Sequence, residues 1–255
     1  MRTKTYFLSG LLLIAFLAVS AGCRKDSKRK VKKNHRQEVG KSANDLLSDD
    51  DYESVVIEIQ YMTGFQPTDQ TVSLLKSFVS ERSHKKSISV KYSEITPHGK
   101  ASYSLDDIVA IEDDKRTQFT AKKTIAVYFL FVDGDYSGNT SGGSVLGIAY
   151  YNTSLVIFEK TIIGLTNGFG SPERYKLETT VVNHEYGHIL GLVNLGSSMQ
   201  TQHQDAANGN HCTNENCLMY WEAESGSMVS NLLGSSPIPT LDANCLSDLQ
   251  ANGGK

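Results

Sequence analysis

The order of apolar and polar residues predicts five strands in the middle of the chain. Residues 52–62 are rich in β-branched side chains and residues 87–95 alternate between apolar and polar ones, both of which are typical of strands. Residues 124–134 form a continuous apolar run, which indicates a central strand covered on both faces. The stretches VLGIAYYN (145–152) and SLVIFEK (154–160) predict two more strands. The first of them could be an edge strand to which an extended peptide adds, although the pattern alone does not identify the edge.

Helical spacing of apolar residues separates these strands. Residues 67–85 have that spacing with Thr68 as an N-cap, and residues 104–115 form a shorter helix that Ser104 opens. A C-terminal helix is predicted in LDANCLSDLQAN (241–252). The elements together predict one domain of α+β class, in which a mixed sheet is accompanied by a few helices.

The clearest helix is predicted over residues 171–191. Ser171 is placed to cap it and Pro172 suits its first turn. Gly191 stands at its end, where a left-handed residue is favoured.

This helix carries the sequence HEYGH, in which His184 and His188 are separated by one helical turn. Leu177, Val181 and the two histidines fall on the same helical face, so the imidazoles continue an apolar stripe. Residues four apart are neighbours on a helix, which allows both rings to bind one zinc ion. Glu185 then stands beside the ion, where it can act as the general base toward a water activated by zinc. The alternative is a pair of core histidines without a ligand.

Two motifs resemble the metzincin metalloproteases. HEYGHILG (184–191) matches H-E-x-x-H-x-x-G, and HCTNENCLM (211–219) matches the H-C-x4-C-x-M of the archaemetzincin branch. The resemblance implies a mixed sheet, an active-site helix, a C-terminal helix and a third histidine ligand. It also implies that Met219 forms a methionine-containing turn beneath the metal.

The third zinc ligand is where this chain departs from the family. The family has a histidine three residues after the glycine, and this chain has Asn194 there. We interpret the following residues as an insertion and favour His211 as the third ligand, because it keeps its spacing to the methionine. His203 and Asp205 remain alternatives, since a loop of this length can fold back onto the helix.

The resemblance also implies a second, structural zinc ion. Archaemetzincins use two cysteine pairs for it, and this chain has aspartate in place of one cysteine. A site with three thiolates and one carboxylate is chemically possible. A disulfide between two of the cysteines is the alternative, since export favours oxidation. The four residues concerned are Cys212, Cys217, Asp242 and Cys245.

The N-terminal segment predicts export. Residues 1–22 have the basic start, apolar run and small terminal residues of a signal peptide. VSAGC resembles the lipobox of bacterial lipoproteins, which implies lipidation of Cys23 and anchoring to a bacterial membrane, in the periplasm or at the cell surface. Residues 23–51 are predicted to be a disordered basic linker, and residues 52–255 the catalytic domain.

The charge distribution sets limits on the partners. Residues 24–36 contain eight basic residues and one acidic residue, and could contact anionic lipid headgroups. Residues 37–255 contain 15 basic and 27 acidic residues, a net charge of −12. This excess of negative charge argues against binding to nucleic acid, whose phosphate backbone is also negative.

These features predict a monomeric, lipid-anchored zinc metalloendopeptidase that acts on peptides or proteins. One rival is a non-catalytic surface lipoprotein in which the metal only stabilises a binding module. A third interpretation is a peptidase that its long 194–211 loop keeps latent. Glu185 favours an enzyme, because a structural zinc site has no use for a base beside the ion.

Overall fold

The computed structural model describes residues 34–141 and 143–255. The predicted signal peptide, Cys23 and residues 23–33 of the predicted linker lie outside the described residues. Within the described part of the chain, no helix combines the length and the apolar character needed to cross a membrane.

A five-stranded mixed sheet forms the centre of the domain. Its strand order is β2-β1-β4-β7-β6, in which four strands are parallel and β6 runs antiparallel at one edge. The short strands β3 and β5 pair separately. The predicted mixed sheet is therefore confirmed, and VLGIAYYN contains an edge strand. The strands are β1 (Ser54–Met62), β2 (Ser87–Ile95), β3 (Ser102–Tyr103), β4 (Thr124–Phe131), β5 (Asp135–Tyr136), β6 (Gly147–Tyr151) and β7 (Ser154–Ile157).

Helices cover both faces of this sheet. Alternate residues of β4 point to opposite sides, so Phe129 contacts Tyr186 on one face while Tyr128 belongs to the apolar cluster on the other. Helices α2 and α5 pack on the first face and α3 on the second. Two 3-10 helices, Trp221–Glu224 and Gly226–Leu232, precede the last α-helix. The α-helices are α1 (Ala43–Leu47), α2 (Asp69–Arg82), α3 (Leu105–Lys115), α4 (Glu159–Thr166), α5 (Arg174–Ile189) and α6 (Ala243–Ala251).

The helix starts follow the predicted caps in two cases out of three. The side chain of Thr68 accepts the N–H of Thr71 at the start of α2, and Ser104 forms a capping box at the start of α3. Ser171 does not cap α5, because its hydroxyl accepts the N–H of Gly168 in a tight turn. Helix α5 therefore begins at Arg174, later than predicted. Helix α4 was not predicted.

The described part of the predicted linker, residues 34–51, differs from the disordered segment that its polarity suggests. It contains α1, in which Leu46 and Leu47 have no exposed surface. The side chain of Asn152 fastens the segment to the β6–β7 turn: it accepts the N–H of Gln37 and donates to the hydroxyl of Ser42. Two buried leucines and this buried amide explain the order, because they give the segment contacts that a solvated linker lacks.

Candidate metal centre

Helix α5 brings the two predicted histidines together. His184 and His188 are buried, and their Nε2 atoms lie 3.0 Å apart. The Nδ1 atom of His184 lies 2.7 Å from the carbonyl oxygen of Leu218, to which it can only donate. That hydrogen bond leaves the lone pair of the His184 Nε2 facing the neighbouring ring, as a metal ligand requires.

His211 is the third imidazole of this cluster. Its ring centre lies 5.2 Å from that of His184 and 5.1 Å from that of His188. Its Nδ1 donates to the carbonyl oxygen of Asn208 at 2.6 Å, while its buried Nε2 has no hydrogen-bond partner. The loop that separates the two motifs thus returns His211 to the end of helix α5.

The other predicted candidates for the third ligand lie elsewhere. His203 lies among the cysteines, where its Nδ1 is 3.3 Å from the sulfur of Cys212. The carboxylate of Asp205 accepts hydrogen bonds from its own loop, from the backbone of Ala207 and the side chain of Asn208. Of the three candidates, the geometry places His211 in the cluster and excludes the other two from it.

A carboxylate that the sequence did not single out joins the three histidines. Glu224 ends the first 3-10 helix, and its oxygens lie 3.6 Å from the Nε2 of His211 and 3.8 Å from the Nε2 of His184. One possible ligand atom from each of these four residues lies within 4.8 Å of the others. Glu224 was missed because it stands five residues after Met219, at a position that belongs to no motif.

Electrostatics favours neutral rings on helix α5. Burial lowers the pKa of His184 to about 4, and it lowers the pKa of His188 well below its usual value. Burial alone would also lower the pKa of His211, but the adjacent Glu224 carboxylate outweighs it and the pKa is raised. The same contact, against the effect of burial, lowers the pKa of Glu224. Neutral imidazole is the form that binds a metal ion.

Glu185 lies beside this cluster and contacts the edge strand. Its Oε2 accepts the backbone N–H of Ala149 in β6 at 2.7 Å, and its buried Oε1 has no hydrogen-bond partner. Burial, followed by the nearby Glu224, raises the pKa of Glu185 well above its usual value. The residue lines a cavity of about 310 Å³, and residues of the inserted loop also line it. A carboxylate with a raised pKa and a free oxygen is suited to accepting a proton there.

Met219 lies against helix α5 at the glycine between the two histidines. Its side chain is fully buried, and it lies so close to Gly187 that a Cβ atom at that glycine would approach the sulfur to 2.4 Å. Gly187 stands between the two histidines on helix α5, so the methionine contacts the helix between them. The preceding residue, Leu218, supplies the carbonyl group that orients His184.

The three described cysteines form a second cluster and are not joined by disulfides. The sulfur atoms of Cys217 and Cys245 lie 3.6 Å apart. The sulfur of Cys217 accepts the backbone N–H groups of Met219 and Asp242, both at 3.4 Å. The pKa of Cys217 is lowered to about 4, first by the neighbouring thiol of Cys212. The position suits a metal ion, because a buried thiolate needs a positive partner.

His203 and Asp242 are both within reach of these sulfurs. One ligand atom each from His203, Cys212, Asp242 and Cys245 lies within 4.8 Å of the others. The Nε2 of His203 lies 2.8 Å from a carboxylate oxygen of the buried Asp248 in helix α6. Although burial lowers the pKa of His203, Asp248 outweighs it and the pKa is raised. The His203 ring therefore contacts the Asp248 carboxylate through one nitrogen and the Cys212 sulfur through the other.

The carboxylate of Asp242 is already used by protein donors. One of its oxygens accepts the N–H of Cys245 and so caps helix α6, and the other accepts the side-chain amide of Asn214. The capping role explains why an aspartate is favourable here without a metal.

Both clusters suit a bound zinc ion. The first offers three imidazoles: the Nε2 atoms of His184 and His188 lie 3.0 Å apart, and the buried Nε2 of His211 lacks a hydrogen-bond partner. The second offers sulfur and imidazole donors, which zinc prefers. The donor chemistry therefore fits the ion that the motif implies.

Comparisons with known proteins give matches among solved structures alone. No protein-family model matches the chain, and no curated protein matches it. The archaemetzincin of Methanopyrus kandleri has a TM-score of 0.48 and 15% identity, over 80% of this chain and 96% of its own. A zinc-dependent peptidase of Methanocorpusculum labreanum has a TM-score of 0.46 and 12% identity, over 76% of this chain and 99% of its own. Metalloproteinase-II of Bacteroides fragilis has a TM-score of 0.41 and 14% identity, over 81% of this chain and 56% of its own. The function of this chain is therefore inferred from its own side chains.

Proposed function

We propose that this protein is a zinc-dependent metallopeptidase of metzincin type. The observation that carries the proposal is the juxtaposition of three imidazoles with a buried carboxylate that has one free oxygen. A purely structural metal site gains nothing from such a carboxylate, whereas hydrolysis needs a base. The non-catalytic binding module is for this reason the weaker alternative. The residues concerned are His184, His188 and His211 as ligands and Glu185 as the base.

The side chains of this protein would have the following roles in the reaction. When zinc is bound by the three histidines, it supplies a Lewis acid that polarises a water and a peptide carbonyl. Glu185 holds the proton taken from the water on its free Oε1, while its Oε2 stays anchored to the N–H of Ala149. The same oxygen can later return that proton to the leaving amine. The hydrogen bond that the His184 Nδ1–H donates to the carbonyl oxygen of Leu218 would keep the ring in the orientation and tautomer that ligation needs.

The edge strand is the proposed position for an extended peptide. Strand β6 has one neighbour in the sheet and runs beside Glu185 and the cavity. A peptide that added to it would bring its scissile bond close to the base. This supports peptides or proteins as the substrate class.

Hydrolysis of a quenched fluorescent peptide or of casein tests the proposal. We expect Glu185→Gln to lower turnover by about 10²–10⁴-fold while zinc content stays unchanged, since general-base catalysis contributes about this factor. Glu222→Gln is the control for the same chemical change at a nearby glutamate, because Glu222 lies outside the histidine cluster. A chelator should abolish activity in all three proteins. Wild-type turnover by Glu185→Gln would disprove the mechanism.

We also propose a second, structural zinc ion, with His203 rather than Asp242 as the fourth ligand. The imidazole has a sulfur on one side and the Asp248 carboxylate on the other, which is how carboxylates orient zinc-binding histidines. Both oxygens of Asp242 are occupied by N–H donors. The three remaining ligands would be Cys212, Cys245 and Cys217, whose sulfur lies 3.6 Å from that of Cys245.

Metal content distinguishes these ligand sets. We expect His203→Ala to lose one zinc ion per chain and to unfold at a lower temperature, because a structural ion contributes its binding energy to folding. Asp242→Asn should keep both ions. Loss of an ion from Asp242→Asn, with none lost from His203→Ala, would restore the aspartate as the ligand.

The location of the protein stays a proposal as well. The lipobox-like VSAGC supports anchoring at Cys23 to a bacterial membrane. Replacing Cys23 by serine should move the protein from the membrane fraction to a soluble exported fraction. Equal membrane association of both forms would argue against lipidation.

A further inference from the structure

Glu224 stands where a fourth ligand of the proposed catalytic ion would stand. Its two oxygens approach the Nε2 atoms of two different histidines, His211 at 3.6 Å and His184 at 3.8 Å. These separations exceed hydrogen-bond distance, so neither contact is a direct hydrogen bond. Ligand atoms that share a tetrahedral ion at about 2.0–2.2 Å lie roughly 3.3–3.6 Å from one another. The Glu224–His211 separation lies at the upper end of this range, and the Glu224–His184 separation lies slightly beyond it.

The backbone holds Glu224 in this place. Its carbonyl oxygen accepts the N–H of Leu146, next to the start of β6, and the N–H of Gly226 bonds to the carbonyl of Ser144. The preceding residue, Ala223, is fully buried. The position of the Glu224 Cα is thus fixed by main-chain contacts to the residues just before β6, the strand that also carries the Glu185 contact.

The side chain itself retains room to move. It is 30% exposed and lines the cavity beside Glu185 and His188. Rotation about its side-chain bonds can therefore carry the carboxylate from the histidines into the cavity without any change in the backbone.

We propose that Glu224 is a fourth protein ligand that occupies the open coordination position in the resting protein. The inference rests on the proposed catalytic ion and gives the site a latent state. A catalytic zinc keeps one position for water or substrate, and a structural zinc is closed by protein ligands. Glu224 closes this site until the carboxylate rotates away. The closing group is this single side chain, which distinguishes the mechanism from steric cover by the 194–211 loop.

Two measurements with opposite expected signs test the proposal. The first is the affinity for the histidine-site zinc, by competition with a chelator. We expect Glu224→Gln to weaken it by at least about tenfold. The second is the binding of acetohydroxamate, a small metal-binding anion that needs the open position. We expect Glu224→Gln to bind acetohydroxamate at least about tenfold more tightly, since the state with an open coordination position is no longer a minor fraction of the protein. Glu222→Gln serves as the control, and Glu224→Ala replaces Glu224→Gln if the latter does not fold.

The outcomes separate this inference from the proposed function. His184→Ala should lose one zinc ion, which identifies the histidine-site ion; retention of both ions would overturn the proposed function. If that ion is lost but Glu224→Gln matches Glu222→Gln in either measurement, Glu224 is not a ligand. Opposite shifts of the two affinities support ligation, because a carboxylate that only stabilised the histidines electrostatically would not block acetohydroxamate.

Discussion

At the scale of single residues, the position of Glu185 depends on Gly147, where the neighbouring atoms lie too close to admit a side chain. A Cβ atom at Gly147 would lie 2.7 Å from the Cγ of Glu185 and 2.7 Å from Val181. The absence of a side chain at Gly147 lets the first residue of β6 approach helix α5. This close approach brings the N–H of Ala149 to the Glu185 carboxylate.

Gly147→Ala should therefore displace the base without disturbing the metal. We expect peptide hydrolysis to fall on the order of 100-fold, since a misplacement of about 1 Å can cost this much. Zinc content should stay at the wild-type value. Gly164→Ala is the control, because a Cβ atom there meets nothing within 4 Å. Equal turnover by the two variants would show that the Glu185–Ala149 contact does not position the base.

At the scale of elements, the end of helix α5 decides where the inserted loop begins. Gly191 has a φ of +78°, the left-handed conformation that the sequence predicts for the end of this helix. A Cβ atom there would lie 2.5 Å from the backbone nitrogen of Ser197 and 3.0 Å from the side chain of Ala43. The glycine is needed for its conformation and also for the close packing of the loop and of α1.

Gly191→Ala separates these two causes when it is compared with Gly64→Ala. Gly64 has a φ of +89° but open space around it, so its substitution reports the backbone conformation alone. We expect Gly64→Ala to lower the free energy of unfolding by about 1 kcal/mol and Gly191→Ala by at least about 2 kcal/mol. Chemical denaturation measures both values. A similar loss in the two variants would mean that the packing around Gly191 relaxes at little cost.

At the scale of the whole molecule, the segment before the first strand is part of the domain. Leu46 and Leu47 are fully buried in the main core. The ammonium group of Lys85, two residues before the second strand, donates to the carbonyl oxygens of Asp45, Ser48 and Tyr52. Burial lowers the pKa of this lysine to about 8.

A chain that begins at residue 52 should accordingly fail to fold, while a chain that begins at residue 34 should keep wild-type stability. Each buried leucine that is lost costs about 2–5 kcal/mol, and the total stability of a domain is about 5–15 kcal/mol. Circular dichroism and thermal unfolding of the two chains test this expectation. A cooperative unfolding transition in the shorter chain would show that residues 34–51 are dispensable.

Local patterns determined much of this protein from the sequence alone. The i and i+4 spacing of His184 and His188 on an apolar stripe, the caps at Thr68 and Ser104, and the glycine at the end of the helix depend on neighbours within a few residues. Such interactions recur wherever the pattern recurs, so the helix that carries the two histidines and the mixed sheet could be predicted.

The tertiary structure decided which distant side chains meet. The placement of His211 with the helix histidines, of His203 with the thiols, and of Glu224 beside the histidines depends on the path of a long loop. Sequence spacing does not determine that path, because loop closure costs little more free energy for one register than for another. The helix therefore follows from local chemistry, whereas the completion of both clusters follows from packing against the rest of the domain.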